Sequence, residues 1–95
     1  RLRRVAALAD PASGRALELH SDASGAQVYT GGHFKVAAKG KGGARYRQYA
    51  GVALETQAFP DAPNLSHFPG VRLDAGCEYR HRMRIRLHHV TEDGR

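Results

Sequence analysis

The amino-acid sequence predicts an all-β protein built as an antiparallel β-sandwich, and three observations support this prediction. Near the carboxyl end, apolar and charged residues alternate from Tyr79 to His88. A turn at Asp10–Gly14 is preceded by Leu2–Ala9 and followed by a short alternating segment at Leu17–His20. No stretch of ten or more residues repeats its apolar positions with the period of 3.6 that a helix requires. Alternation with period two is typical of strands with one face on a core and the other in water.

The first two strands are predicted to form a hairpin. Leu2–Ala9 precedes the turn, and Leu17 and Leu19 alternate with polar residues after it. In the turn itself, Pro11 presets φ and Gly14 supplies the positive φ that a reversal of the chain needs. The two segments are therefore expected to pair with each other.

Two further strands are predicted in the middle of the chain, over Ala26–Thr30 and Gly51–Gln57. Between them, Lys39–Gly43 is expected to be a flexible loop. It resembles a phosphate-binding loop only in its residue types, because it lacks that motif's spacing and following helix. Arg45–Ala50 is expected to form one helical turn at most.

The last part of the chain contains an irregular segment and the strongest strand signal. Three prolines make a regular element impossible over Phe59–Gly70. The strand predicted over Tyr79–His88 carries Arg80, Arg82, Arg84 and Arg86 on one face. We expect these arginines to form a solvated face that discourages edge pairing. A row of arginines that binds phosphates is the alternative.

Length and composition exclude several classes of protein. With 95 residues, the chain is expected to form one small domain with a thin core, or a piece of a larger one. Because it begins with Arg1 rather than methionine, we expect a piece. No apolar run approaches the ~18 residues of a membrane span, and the single cysteine, Cys77, excludes a disulfide framework. The net charge is +6, but the cationic residues are not interleaved with aromatics as in RNA-binding modules.

The histidines and Glu55 are the residues that invite a chemical role. Six histidines are present, but His88 and His89 are adjacent and the others are isolated, so no metal site is expected. Glu55 lies in the middle of an apolar segment, which is costly for a carboxylate unless its face lines a polar pocket or meets water. The pattern of residues leaves both alternatives open.

The chain resembles the carboxy-terminal part of the aldose 1-epimerases, or galactose mutarotases. Glu55 follows Gln27 by 28 residues, a spacing that fits this family. The motifs that carry the resemblance are Asp10–Arg15 (DPASGR), Gln27–Gly31 (QVYTG), Lys39–Gly43 (KGKGG), Leu54–Asn64 (LETQAFPDAPN) and Phe68–Pro69. Together they extend the resemblance from about Arg4 to Leu87.

The resemblance implies a large β-sandwich enzyme that interconverts the α and β anomers of free hexoses. It implies that Glu55 is the general base and that Gln27 contacts the sugar hydroxyls. It calls for no metal or organic cofactor, no nucleic acid and no membrane, with a free hexose as the partner. A cytoplasmic location is expected, and the oligomeric state is left open.

The chain also departs from the family pattern. Gly32 stands where the family usually has asparagine, and Cys77 where it usually has glutamate. The family's acid is a histidine far upstream, and none of the six histidines here occupies its motif. Residues 1–95 are therefore expected to be the carboxy-terminal part of one epimerase domain, inactive when isolated. Two alternatives are a carbohydrate-binding sandwich without catalysis and a basic β-domain that binds polyanions through Arg80–Arg86.

Overall fold

The protein consists almost entirely of β-strands and irregular chain. The computed structural model describes residues 1–35 and 37–90. The strands are β1 (Arg3–Ala9), β2 (Arg15–Ser21), β3 (Gly25–Tyr29), β4 (Ala53–Gln57) and β5 (Met83–His89). Short 3₁₀ turns lie at Lys41–Gly43 and Ala62–Asn64. In the described residues no helix is long and apolar enough to cross a membrane. The predicted all-β class is confirmed.

The strands form two antiparallel sheets, as in a sandwich-like fold. The first has the order β1-β2-β5, and the second consists of β3 and β4. The predicted hairpin is β1–β2, in which Ala9 pairs with Ala16. Its turn contains Gly14 at φ 75°, as the sequence predicts. Hydrogen bonds from the Ser13 side chain and the Ala12 amide hold the pKa of Asp10 below its usual value.

One face of the three-stranded sheet is charged. The carboxylate of Glu18 in β2 lies 3.8 Å from the guanidinium of Arg4 in β1 and 3.5 Å from that of Arg86 in β5. Arg84 and Arg86 are exposed, which confirms the predicted solvated face within β5. One acidic residue thus offsets charge from both neighbouring strands.

Two expectations about β5 are wrong, one about its apolar face and one about where it begins. Met83, Ile85 and Leu87 were expected to pack on a core, but they are 52%, 52% and 74% exposed. The strand also begins at Met83 rather than Tyr79, because its partner β2 ends at Ser21. Beyond that point the ladder has no strand with which to continue.

The core is thin, as expected for a chain of this length. The buried apolar residues are Ala16, Leu19 and Ala62, and the hydroxyl-bearing Ser21 is fully buried. The radius of gyration is 17.3 Å, whereas a compact domain of this length has about 12 Å. The accessible surface is 8088 Å², against about 5,400 Å² for a compact monomer of this mass. The two sheets are therefore open and share little buried surface.

Candidate functional site

The two-stranded sheet brings Gln27 and Glu55 together. In the antiparallel ladder between β3 and β4, Gln27 is directly opposite Glu55. Residues opposite each other in such a ladder have Cβ atoms about 4.5–5.5 Å apart and project to the same face. Both side chains are exposed. The structure thus places these two residues on one face of one sheet.

One end of this polar pair adjoins an apolar cleft. The next pair on the same face is Tyr29 with Ala53. The hydroxyl oxygen of Tyr29 accepts a hydrogen bond of 2.9 Å from the His33 amide, which closes the turn after β3. A cleft of about 180 Å³ lies here, lined by Tyr29, Gly31, Phe34, Gly51, Val52 and Ala53. A ligand at Gln27 and Glu55 would therefore meet polar groups beside an apolar wall.

The other end of the face is covered by an aromatic ring. A Cβ atom added to Gly25 would lie 2.7 Å from the ring of Phe59, so the ring occupies the space above this glycine. Phe59 in turn contacts Phe68, with ring centroids 4.9 Å apart. The segment between these rings is irregular apart from the turn at Ala62–Asn64, as the sequence predicts. This segment closes the site where β3 begins.

Behind the site, on the opposite face of β4, lies a cluster that the sequence did not predict. The Nε2 atom of His81 is 3.0 Å from Thr56 Oγ1 and 3.2 Å from Ser21 Oγ. A serine beside a histidine suggests nucleophilic catalysis, but Ser21 is fully buried. Its Oγ also accepts a hydrogen bond of 3.0 Å from the Ala23 amide. The cluster is therefore structural rather than nucleophilic.

The other predicted features lie away from the Gln27–Glu55 pair. The carbonyl oxygen of Gly32 accepts a hydrogen bond of 2.8 Å from the Gln48 side chain. This bond joins the two ends of the long connection between β3 and β4. Cys77 is exposed with a free thiol. Within residues 1–35 and 37–90, no group of three or more His, Cys, Asp or Glu side chains could hold a metal ion.

The arginines that would bind polyanions under the alternative hypothesis are partly neutralised. The Arg82 guanidinium lies 3.9 Å from the Asp22 carboxylate, and Arg86 lies beside Glu18. Arg80 is paired with Glu78 at 2.5 Å. Three of the four arginines thus have an acidic neighbour, which weakens the case for a phosphate-binding row.

Comparison with known proteins assigns the chain to one family. The family model for aldose 1-epimerase matches residues 2–86. The chain is 49% identical to galactose mutarotase of Bos taurus over 69 residues, covering 73% of this chain and 20% of that protein. It is 49% identical to the Homo sapiens galactose mutarotase over 70 residues, with 74% and 20% coverage.

A bacterial relative extends the similarity beyond mammals. The aldose 1-epimerase of Haemophilus influenzae is 32% identical over 76 residues, covering 77% of this chain and 22% of that protein. The chain therefore spans about a fifth of the length of these relatives. No solved structure matches it significantly. Because the family model covers nearly all of the chain, the chain belongs to the aldose 1-epimerase family.

Proposed function

We propose that these residues are the carboxy-terminal part of an enzyme that interconverts the α and β anomers of free hexoses such as galactose or glucose. The observation that carries the proposal is the pairing of Gln27 with Glu55 across β3 and β4. Family membership supports the same reaction. The shared exposed face gives a sugar access to a carboxylate and an amide at once.

The proposed chemistry is general acid–base catalysis. The Glu55 carboxylate takes the proton from the anomeric C1 hydroxyl while an acid protonates the ring oxygen. The bond between C1 and the ring oxygen breaks, and C1 becomes the carbonyl carbon of the open aldehyde. Rotation about the C1–C2 bond and closure then give the other anomer. Gln27 holds the sugar through its hydroxyl groups, since an amide both donates and accepts hydrogen bonds.

This chain is proposed to supply the base but not the acid. In the part of the chain that the structure describes, no histidine is hydrogen-bonded to Glu55. His81 lies behind β4, and His89 contacts the Ser13 carbonyl oxygen at 3.0 Å. The acid is therefore proposed to come from residues outside these 95, in the complete protein.

The test is Glu55→Gln in the complete protein, because it removes the base and keeps the size of the side chain. We expect kcat to fall by about 10²–10⁴-fold while KM changes little. Polarimetry of freshly dissolved α-glucose and α-galactose measures both constants. The matched control is Glu78→Gln, the same change at an exposed glutamate paired with Arg80, and it should retain the normal rate.

Three results would count against the proposal. An unchanged kcat in Glu55→Gln would show that this carboxylate is not the base. A complete protein that binds galactose without accelerating anomer exchange would instead be a carbohydrate-binding sandwich without catalysis. Association with polyanions that weakens steeply with added salt would favour a basic β-domain.

A further inference from the structure

His81 lies where the two sheets meet. Its Nε2 atom is 3.0 Å from Thr56 Oγ1 in β4 and 3.2 Å from Ser21 Oγ at the end of β2. One ring nitrogen therefore contacts a hydroxyl group from each sheet. Because β2 belongs to the three-stranded sheet and β4 to the two-stranded sheet, the imidazole bridges the two.

The side of this bridge that faces the three-stranded sheet is firmly held. Next to His81, the amide of Arg82 donates a hydrogen bond of 2.9 Å to Asp22 Oδ1, and the Asp22 amide donates one of 3.2 Å to the Arg82 carbonyl. Ser21 is fully buried, and its Oγ accepts the Ala23 amide. The imidazole is thus anchored to β2 by its backbone neighbours and by its own contact.

The other side of the bridge is a strand with little else to hold it. In the described residues, β4 pairs with β3 alone. Thr56 Oγ1 contacts His81 and also lies 3.5 Å from Met83 Sδ, at the start of β5. Thr56 directly follows Glu55 and projects to the opposite face of β4. A displacement of Thr56 therefore displaces the Glu55 carboxylate.

We propose that His81 is a positioning residue for the anomerisation reaction: through Thr56 it holds β4 against the three-stranded sheet and fixes the Glu55 carboxylate relative to the sugar. This inference rests on the proposed role of Glu55 as the base. Misplacing a reacting group by about 1 Å can cost about 10²-fold in rate. Among the described residues, β3 makes no hydrogen bond to His81, and Gln27 is connected to it only across the β3–β4 ladder, whereas Glu55 is the chain neighbour of Thr56. Sugar binding should therefore be affected less than the position of the base.

The first experiment changes Thr56 in the complete protein. Thr56→Val keeps the shape of the side chain and removes the hydroxyl, whereas Thr56→Ser keeps the hydroxyl. With α-glucose as substrate, we expect Thr56→Val to lower kcat about tenfold with KM within twofold, and Thr56→Ser to retain most of the rate. Thr30→Val is the matched control, because the exposed Thr30 makes no side-chain hydrogen bond among the described residues.

The second experiment changes the histidine itself. His81→Leu should lower kcat as Thr56→Val does, while His81→Gln should retain more activity because its terminal amide can still reach the two hydroxyls. Circular dichroism checks that each variant is folded. If His81→Leu does not fold, the comparison of Thr56→Val with Thr56→Ser decides the question alone.

The third experiment separates positioning from general stability and from the proposed function. Introduced together with Glu55→Gln, Thr56→Val should have no further effect on kcat, because no base remains to be positioned. An equal tenfold loss in that background, or an unchanged kcat for Thr56→Val alone, would overturn the inference. If Glu55→Gln itself leaves kcat unchanged, the proposed function fails first, and the inference fails with it.

Discussion

At the scale of single residues, the pairing of Gln27 with Glu55 depends on a register that the sequence alone does not determine. Alternation predicts which residues of one strand share a face, but not which residue of another strand lies opposite. Residue patterns left Glu55 either in a pocket or in water. Its assignment as a base, and that of Gln27 as a sugar contact, came from the family resemblance. The structure adds that the two are direct neighbours across β3 and β4.

The proposed role of Gln27 leads to a prediction for binding. Gln27→Ala removes an amide that should contact the sugar in both the ground state and the transition state. We therefore expect KM for galactose to rise about three- to tenfold, the worth of one hydrogen bond, with little change in kcat. Initial rates over a range of sugar concentrations measure both constants.

The control for this prediction is Asn64→Ala, which removes an amide bonded to Asp61 in the irregular segment rather than one on the site face. Its KM should stay within twofold of the normal value. A Gln27→Ala protein that loses kcat at an unchanged KM would show that the amide acts only on the transition state. In that case Gln27 would be part of the catalytic machinery, contrary to the role proposed here.

His81 shows what residue patterns could and could not reveal. Its partners Ser21 and Thr56 lie 60 and 25 residues away, so no local spacing connects them. The available signal was a histidine in the otherwise apolar row of Met83, Ile85 and Leu87. A polar residue on an apolar strand face must have a hydrogen-bond partner only where the face is covered, and here the row is exposed. That signal identifies a residue of interest without identifying its partner.

At the scale of secondary-structure elements, the predictions succeeded where one local cause determines the structure. The β1–β2 hairpin depends on the turn residues between its strands, and the irregular segment depends on its prolines. The start of β5 was wrong by four residues because it depends on where β2 ends. Alternation from Tyr79 indicates extended backbone, but a strand also needs a neighbour for its ladder hydrogen bonds.

The end of the β2–β5 ladder leads to a prediction for stability. The Arg82 amide donates to the Asp22 carboxylate, and this bond is the main reason that the pKa of Asp22 lies below its usual value. A lowered pKa stabilises the folded state above the pKa of the unfolded chain, about 3.9. This contribution is lost as the pH falls through the lower pKa of the folded state.

Asp22→Asn in the complete protein should therefore lower the free energy of unfolding at pH 7. The difference from the unchanged protein should shrink as the pH falls below about 4, because a protonated aspartic acid and an asparagine are both neutral. Urea unfolding at several pH values measures this difference. Asp74→Asn, at an exposed ion pair with Arg72, should change stability less at pH 7. A pH-independent difference for Asp22→Asn would contradict the prediction.

At the scale of the whole molecule, the two sheets expose apolar surface that a self-contained domain would bury. The radius of gyration exceeds that of a compact domain by about 5 Å. Leu87 in β5 and Val28 in β3 are 74% and 65% exposed, and Leu73 in the segment before β5 is 58% exposed. Sequence composition did not reveal this, because an apolar fraction of 41% is ordinary for a globular domain. Composition reports how much apolar surface exists, and only the fold reports how much of it is covered.

This openness leads to the last prediction, which concerns the 95-residue chain on its own. It should not accelerate mutarotation beyond the effect of free carboxylates and imidazoles at the same concentration. It is proposed to supply a base without a positioned acid, and loss of one partner of such a pair costs about 10²–10⁴-fold. Its thin core should also hold Glu55 and Gln27 poorly in place, which removes the advantage of fixed geometry.

The measurement is polarimetry of freshly dissolved α-glucose with the purified chain at neutral pH, compared with the chain carrying Glu55→Ala and with a matched mixture of acetate and imidazole. All three should approach anomeric equilibrium at similar, unsaturable rates. Light scattering should show association, since exposed strand edges and apolar faces pair with other copies. Saturable catalysis that disappears in Glu55→Ala would contradict the prediction, because an acid would then have to lie within these 95 residues, with the six histidines as the first candidates.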